Sequence, residues 1–191
     1  MNPTNFKLAA GLVMSGIAAV KILKSITKRR DTTVNEVLLY GAEDDEKAKE
    51  AGLNNLFCIY YVIVHATTTV DVCMPNLLSD TIAKCLVNAR RNSKVKIRVC
   101  LYKCNDVSQL DFITQSGIEV KVVREHLAHE FILVDAVEDC KETVAIIGSL
   151  DYDTKRVNCS RDNTMLTSEE TVVKTLKKEF ERIWESEENS A

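Results

Sequence analysis

The sequence predicts an α/β fold in which a mixed central β-sheet is flanked by helices. In the first half of the chain, short strand-like runs alternate with segments of helical periodicity. The second half is rich in strands and closes with one long amphipathic helix. The length of 191 residues corresponds to about one domain, and a hydrophobic content of 46% allows a sizeable core.

The first predicted elements are separated by proline and by helix-capping residues. Residues 55–65 are apolar nearly all round, which predicts a largely buried helix. Pro75 ends the strand that follows, and Ser79 with Asp80 caps the next helix. The elements predicted here are a strand over 34–40, the helix over 55–65, a strand over 69–74 and a helix from residue 79.

The middle of the chain continues this alternation. Residues 94–101 read as a strand whose valines and isoleucine face inward, while Lys96 and Arg98 face outward. A helix opens at Asp106 and ends at Gly117, because glycine readily adopts the conformation that closes a helix. A strand over 119–123 follows.

Three strands and a final helix make up the predicted second half. The strands cover 130–134, 144–147 and 163–167, and the helix begins at Ser168 with two glutamates behind it. We predict that one apolar stripe of this helix belongs to the core. The stripe consists of Val172, Val173, Leu176, Phe180, Ile183 and Trp184.

Charge and cysteine content exclude some classes of function. The net charge of −3 gives no overall footprint for nucleic acid. A local basic surface is the alternative, although a solvated helix end and one strand face explain the same residues more simply: Lys84, Arg90, Arg91, Lys94, Lys96 and Arg98. The seven cysteines contain no Cys-x-x-Cys pair, and their odd number suits a reducing compartment.

The N-terminal 30 residues differ in composition from the rest. They contain no Asp or Glu, and positions 8–20 form an uncharged, largely apolar run. A bilayer-spanning helix needs about 20 residues, so the span reaches 6–23 only if Lys7 and Lys21 extend toward the headgroups. Basic residues then follow up to Arg30, which predicts a membrane anchor with the domain in the cytosol.

Two alternatives to an anchor are weaker. A cleaved secretory signal lacks support because no basic stretch precedes the apolar run, and a matrix presequence would contain more arginine. The predicted organisation is therefore an anchor with its basic flank over 1–30, one domain over 31–187 and a tail over 188–191.

Two neighbouring blocks are the most informative part of the sequence. His126 and His129 stand before an apolar run that ends in Asp135, and residues 146–153 read Ile-Ile-Gly-Ser-Leu-Asp-Tyr-Asp. Histidine is the side chain that titrates nearest neutral pH. We therefore expect the chemistry of the protein at this place.

These blocks resemble the signature of the phospholipase D superfamily, which is His-x-Lys-x-x-x-x-Asp on a strand followed by Gly-Ser-x-Asn. Single-motif members read roughly HHKFAIVD, GSLNWT, NRENVLI and a closing FERIWE, and this chain reads AHEFILVD, GSLDYDT, CSRDNTMLT and FERIWE. The resemblance covers most of residues 33–187 and points to the mitochondrial cardiolipin hydrolase, or Zucchini, family. The family's histidine aligns with Ala128 and its lysine with Glu130, whereas its aspartate is retained as Asp135.

The resemblance implies a mechanism that this chain is poorly equipped to perform. In active relatives two motifs meet across a twofold axis, one histidine attacks phosphorus, the lysines bind phosphate oxygens and the aspartate orients an imidazole, without a metal. Ala128 supplies neither nucleophile nor proton. Glu130 reverses a charge, and two unit charges ~4 Å apart interact by roughly 4 kcal/mol at an intermediate dielectric. We therefore predict impaired catalysis.

A neighbouring histidine is the candidate substitute. Successive side chains of a strand point to opposite faces, so His129 is predicted to face away from Ala128 and Glu130. His126 shares the parity of Ala128 and reaches the cleft only if the preceding backbone bends. A surface or hydrogen-bonded loop histidine is the simpler interpretation of both.

The remaining motif positions predict a polar floor to the site. The resemblance assigns supporting positions to Ser149, Asp151, Asp162 and Asn163. Carboxylates at these positions, with Asp135 and Glu130, would suit a Mg²⁺ or Ca²⁺ ion if they converged, but their spacing does not require it. Some relatives carry a zinc-binding insertion, whereas residues 41–47 here are acidic and lack such ligands, so no metal or other cofactor is predicted.

Three hypotheses follow from the resemblance. The first is a dimeric, catalytically impaired member in the mitochondrial outer membrane, facing the cytosol, in a pathway of cardiolipin hydrolysis or small-RNA (piRNA) processing. The second is an active phosphodiesterase for cardiolipin or single-stranded RNA that uses His126 or His129. The third is a non-catalytic heterodimer partner or scaffold for an intact paralogue.

Overall fold

The fold is known from a computed structural model, which describes residues 33–41, 46–77, 79–93, 95–103, 107–138, 142–148, 153–154 and 157–186. The predicted anchor and tail lie outside these residues. Within the described ranges, no helix combines the length and apolar character needed to cross a membrane. The elements are β1 (Asn35–Tyr40), α1 (Glu46–Val64), β2 (Thr69–Asn76), α2 (Asp80–Ser93), β3 (Lys96–Lys103), α3 (Val107–Gln115), β4 (Glu119–Val122), β5 (Phe131–Val134), β6 (Val144–Gly148), β7 (Asp162–Thr167) and α4 (Glu170–Glu185).

The strands form one seven-stranded mixed sheet, so the predicted α/β class with a mixed central sheet is confirmed. The strand order is β1-β7-β6-β5-β2-β3-β4. The β2, β3 and β4 strands run parallel to one another, as the connecting helices require. All other neighbours pair antiparallel, including β5 with β2 in the centre.

Helices cover both faces of this sheet and create two cores. On one face α1, α2 and α3 pack over Ile132 and Val134 of β5. On the other face α4 packs over Phe131 and Leu133, which alternate with the first pair along the same strand. The predicted stripe of α4 is core, since Val173, Phe180 and Ile183 are buried and Leu176 and Trp184 pack against them.

Several element boundaries differ from the sequence prediction. The first helix begins at Glu46 rather than residue 55, because its polar N-terminal half lies at the surface and shows no continuous apolar run. The second strand continues beyond Pro75, since Met74 and Asn76 both pair with β3 and the proline falls between them. Proline is tolerated where the strand needs no donor.

The prediction that Arg98 faces solvent is wrong. Arg98 lies under α4 and is only 9% exposed. Its guanidinium donates two hydrogen bonds to Asp71, at 2.8 and 3.0 Å, and two to Glu181 of α4, at 2.9 and 2.7 Å. It also stacks 4.8 Å from the ring centre of Phe180. The face of β3 that carries Arg98 is therefore covered by α4 and is not exposed to solvent.

Two further residues of the possible basic surface, Arg90 and Lys96, make contacts within the domain. Arg90 donates hydrogen bonds to the carbonyl oxygens of Gly117 and Val95. Lys96 forms an ion pair with Glu119 at 3.5 Å. These contacts fit the simpler interpretation, a helix end and one strand face, better than a dedicated basic surface.

Helix ends follow the predicted signals in two of three cases. The Ser79 hydroxyl accepts hydrogen bonds from the amides of Thr81 and Ile82, as expected of an N-cap. At the end of α3, Gly117 has φ +80° and its amide bonds to Thr114, which closes the helix in a left-handed cap.

The start of α4 does not follow the predicted cap. Glu169 precedes the helix and makes no side-chain cap. The Ser168 hydroxyl instead accepts a hydrogen bond of 2.8 Å from the amide of Val34. Ser168 therefore ties the two ends of the domain together, a long-range role that sequence spacing cannot reveal.

Candidate active site at one end of the sheet

Four of the motif-aligned residues lie at one end of the central strands, namely Ala128, Glu130, Asp162 and Asn163. Ala128 and Glu130 lead into β5, whose Phe131 pairs with Ile147 next to the end of β6. The amide of Gly148 donates a 3.1 Å hydrogen bond to the carbonyl of Glu130. Because Gly148 also pairs with Thr164, the start of β7 lies at the same end. The register therefore brings Asp162 and Asn163 to this end with Ala128 and Glu130, while Ser149 and Asp151 lie outside the described residues.

Gly148 occupies a position that no other residue fits. Its φ is +148°, and a Cβ atom built there would lie 2.5 Å from the carbonyl oxygen of Asn163. Contacts this short do not occur for real side chains, so β6 and β7 approach closely only because glycine is present. The glycine of the Gly-Ser block is therefore needed for the close approach of β6 and β7.

The two substituted positions have different environments. Ala128 is exposed and lines a pocket of about 400 Å³. Glu130 is half-buried where the family places its lysine. The other residues lining the pocket are Val123, Glu125, His126, Leu127, His129, Arg182, Ile183 and Ser186.

His129 contacts α4. Its Nε2 lies 2.9 Å from Oε1 of Glu179, and its ring is tilted against that of Phe131 with centroids 6.3 Å apart. Hydrogen bonds donated by Arg182, followed by charge interactions with Arg182 and His129, hold the pKa of Glu179 below its ordinary value. A carboxylate therefore orients the His129 imidazole on the face occupied by α4, which is the face that Phe131 shares.

His126 lies in the same pocket. Its ring meets that of Tyr102 edge-on, with centroids 5.2 Å apart. Residues 123–130 are irregular, so strict alternation does not govern their side chains. The sequence did not predict that His126, His129 and Ala128 share one pocket. Glu179 and Arg182 were also missed, because nothing local links a turn of α4 to residue 129.

Asp135 has a different environment from the one that the resemblance implies. It lies at the opposite end of β5, with φ +53°. Its carboxylate accepts hydrogen bonds of 2.7–3.1 Å from the amides of Thr67, Thr68 and Thr69, and from the hydroxyls of the first two. Burial raises the pKa of Asp135, but these hydrogen bonds outweigh it and hold the pKa below its ordinary value. Asp135 orders the turn before β2 and orients neither His126 nor His129.

Of the carboxylates considered for a cation site, Asp151 lies outside the described residues, and Asp135 lies far from Glu130 and Asp162. The length of β5 separates Glu130 from Asp135 by roughly 16 Å at the usual strand rise. Asp162 lies at the Glu130 end. Across the part of the chain that the structure describes, no group of three His, Cys, Asp or Glu side chains is arranged to hold a metal ion.

A seven-stranded mixed sheet flanked by helices matches the fold of phospholipase-D-like domains. The chain belongs to the family described as "Cardiolipin synthase, PLD-like domain", whose model matches residues 59–184. It is thus a single-motif member of the phospholipase D superfamily, and the resemblance noted in the sequence is confirmed.

Curated relatives are mitochondrial cardiolipin hydrolases. The human protein is 28% identical over 128 residues, which cover 64% of this chain and 48% of the human protein. The dog and Xenopus laevis proteins are each 27% identical, covering 70% and 64% of this chain and 52% and 58% of their own lengths. The chain therefore spans about half the length of the curated relatives that it matches.

Solved structures of distant proteins share the fold. NucT from Helicobacter pylori has a TM-score of 0.63 at 12% identity, covering 81% of this chain and 98% of NucT. Nuc from Salmonella typhimurium, a phospholipase D family member, has a TM-score of 0.61 at 15% identity, covering 83% and 97%. TrmBL2, an archaeal chromatin protein, has a TM-score of 0.53 at 12% identity, covering 96% and 64%. At these identities the likeness concerns the fold alone.

Proposed function

We propose that this chain is a phospholipase-D-like protein of the mitochondrial cardiolipin hydrolase type whose phosphodiesterase chemistry is lost or strongly impaired. The observation that carries the proposal is the pair of residues at the catalytic end of the sheet. A methyl group at position 128 and a carboxylate at position 130 stand where the family mechanism needs an imidazole and an ammonium.

The electrostatics of Glu130 support the proposal more strongly than the loss of histidine does. Glu130 is half-buried, so its charge is only partly screened by water. A phosphodiester brought to this end of the sheet would meet an anion from each motif of a dimer. Binding of the substrate is thus opposed before the missing nucleophile matters.

The proposed setting combines the mitochondrial name of the curated relatives with the apolar N-terminal segment of this chain. The segment over 6–23 anchors the chain in the mitochondrial outer membrane, with the domain facing the cytosol. The chain forms a homodimer, or a heterodimer in which an intact paralogue supplies the motif. Anionic phospholipid and single-stranded RNA are the ligand classes that remain, bound without turnover.

Restoring the motif tests the proposal directly. The full chain in mild detergent would be assayed on cardiolipin and on single-stranded RNA, beside the double variant Ala128→His/Glu130→Lys. We expect no turnover by the natural chain and measurable turnover by the double variant. The matched control is Ala128→Gln/Glu130→Lys, which restores the cation without the nucleophile and should be inactive. Turnover by the natural chain would contradict the proposal.

A second candidate function rests on a different observation. His126 and His129 line one pocket, and Glu179 orients the second imidazole as a carboxylate does in many acid–base sites. The alternative is an active phosphodiesterase with a relocated site. It requires turnover by the natural chain that is abolished by His129→Ala and by His126→Ala, while Glu138→Ala, a change in an exposed loop, leaves it unchanged.

A further inference from the structure

The pocket that contains His126 and His129 lies at the carboxyl ends of two parallel strands. Tyr102, near the end of β3, contacts the ring of His126, and Val123 directly follows β4. The C-terminal turn of α4 also lines the pocket. Crevices at the carboxyl ends of parallel strands are the usual ligand sites of α/β sheets, and a volume of about 400 Å³ is enough for a small molecule.

Arg182 is poorly placed to hold an anion in this pocket. Its Nε and Nη2 atoms each donate a hydrogen bond of 2.7 Å to the carboxylate of Glu179, which occupies the guanidinium fork that arginine uses to bind phosphate. Hydrogen bonds to Glu179, with the charges of Glu179 and Glu125, hold the pKa of Arg182 above its ordinary value. Among the described residues that line the pocket, Arg182 is the only lysine or arginine. The charge left over in the pocket is therefore negative.

The uncompensated charge is that of Glu125. Its side chain lines the pocket and is exposed. Within the part of the chain that the structure describes, no residue forms a hydrogen bond or ion pair with Glu125. Its carboxylate can therefore accept hydrogen bonds from a bound molecule.

The two imidazoles add further hydrogen-bond acceptors. Because Glu179 has a lowered pKa and is ionised, it can only accept, so it fixes the proton of a neutral His129 ring on Nε2 and leaves Nδ1 as an acceptor. His126 contacts Tyr102 through its ring but forms no hydrogen bond with any described residue. One nitrogen of a neutral imidazole is always an acceptor. The pocket therefore presents three acceptor groups and a net negative charge.

We propose that this pocket binds a primary alkylammonium group. An ammonium is positively charged and has three donors and no acceptor, which matches the Glu125 carboxylate and the two imidazoles. A free alkylamine and a lysine side chain of another protein present this same chemistry. The site goes beyond the proposed function and does not depend on it. The alkyl chain contacts the aliphatic part of the wall, which consists of Val123, Leu127, Ala128 and Ile183.

The three histidines of the chain provide the test. The histidine-labelled full chain in mild detergent would be titrated with n-butylamine and, in parallel, with Nα-acetyl-lysine methylamide, at about pH 8, where an ordinary imidazole is uncharged. We expect the NMR signals of His126 and His129 to shift to saturation. The signal of His65 should stay unchanged, because His65 follows α1 near the turn that Asp135 holds at the opposite end of the sheet. Tighter binding of the lysine derivative indicates a partner protein as the source of the group, and tighter binding of n-butylamine indicates a free amine.

Two matched controls isolate the charge and the donors. Glu125→Gln should weaken amine binding by about five- to tenfold, since one charged acceptor is lost, whereas Glu138→Gln, a change of an exposed acid in another loop, should alter it by less than about twofold. Butyltrimethylammonium carries the same charge without an N–H donor. It should bind at least about fivefold more weakly than n-butylamine.

Three results would overturn the proposal. They are unchanged His126 and His129 signals with both amines, undiminished binding by Glu125→Gln, and equal binding of butyltrimethylammonium and n-butylamine. Inorganic phosphate is the opposing ligand, and tighter binding of phosphate than of either amine would also overturn the proposal and would support the second candidate function. The restored-motif variant tests the loss of catalysis separately, so either proposal can fail without the other.

Discussion

Asp135 offers the sharpest test of the structural role assigned to a motif residue. The family resemblance places it in the catalytic machinery, whereas its carboxylate here accepts hydrogen bonds from three consecutive amides, those of Thr67, Thr68 and Thr69. We predict that Asp135→Ala mainly destabilises the fold, and that Asp135→Asn does so less.

The expected magnitude follows from the contacts. Leaving a buried hydrogen-bond donor without its charged acceptor costs about 1–3 kcal/mol of stability. Thr67 and Thr68 are exposed, so water can accept hydrogen bonds from them and reduces this cost. Alanine at φ +53° adds about 1 kcal/mol, a cost that asparagine largely avoids. We therefore expect losses of about 3–5 kcal/mol for Asp135→Ala and about 2 kcal/mol for Asp135→Asn.

Urea unfolding followed by circular dichroism, on the full chain in mild detergent, measures these differences. The larger loss corresponds to a fall in Tm of roughly 10 °C for a domain of this size. Glu138→Ala is the matched control, since Glu138 is an exposed acid three residues away and should change stability by less than about 0.5 kcal/mol. A loss below about 1 kcal/mol for Asp135→Ala would refute the structural role.

The pH dependence gives an independent check. Because the folded-state pKa of Asp135 is lowered, its carboxylate stabilises the fold at pH values above its ordinary pKa of about 4. That contribution is lost as the pH falls through the lowered value. Stability of the natural chain should thus decline below about pH 4 more steeply than that of Asp135→Asn, and equal slopes would count against the hydrogen-bonded carboxylate.

Three further predictions concern stability and are checked by the same unfolding assay. Gly148→Ala should cost about 2–4 kcal/mol, because its Cβ would collide with the carbonyl of Asn163, and a cost under about 1 kcal/mol would refute that close approach. Arg98→Met should cost about 2–3 kcal/mol, because Asp71, which is 1% exposed, loses its bidentate partner and keeps only Lys177, whose Nζ lies 2.6 Å from Oδ2; near-normal stability would contradict this. Hydrogen bonds from Arg98 lower the pKa of Glu181 to about 2, so its contribution should be lost only as the pH falls from about 4 toward 2, and Glu181→Gln should remove that component of the acid profile.

Local periodicity was sufficient to predict much of the fold. The spacing of Phe180 and Ile183 in α4 identified a core-facing stripe, because a helix repeats every 3.6 residues and one face must be apolar. The same reasoning failed for Arg98. Alternation correctly puts it on the face opposite Val99, but no local pattern shows that α4, some eighty residues later, covers that face.

The candidate site was predicted in part. The order of the motif blocks brought Ala128, Glu130 and Gly148 to one end of the sheet, because adjacent antiparallel strands place the start of one beside the end of the other. The contact of His129 with Glu179 could not be predicted, since it depends on the docking of α4 and on an irregular segment before β5.

The pairing of β1 with β7 has a consequence for the assembly of the protein during synthesis. Val34 and Ser168, which are hydrogen-bonded to each other, lie 134 residues apart in the chain. The β1 strand is therefore synthesised on the order of 10 s before β7, its partner in the sheet. Until β7 has been synthesised, the apolar side chains of β1 can contact chaperones, other nascent chains or a nearby membrane. The sheet is completed only when β7 pairs with β1.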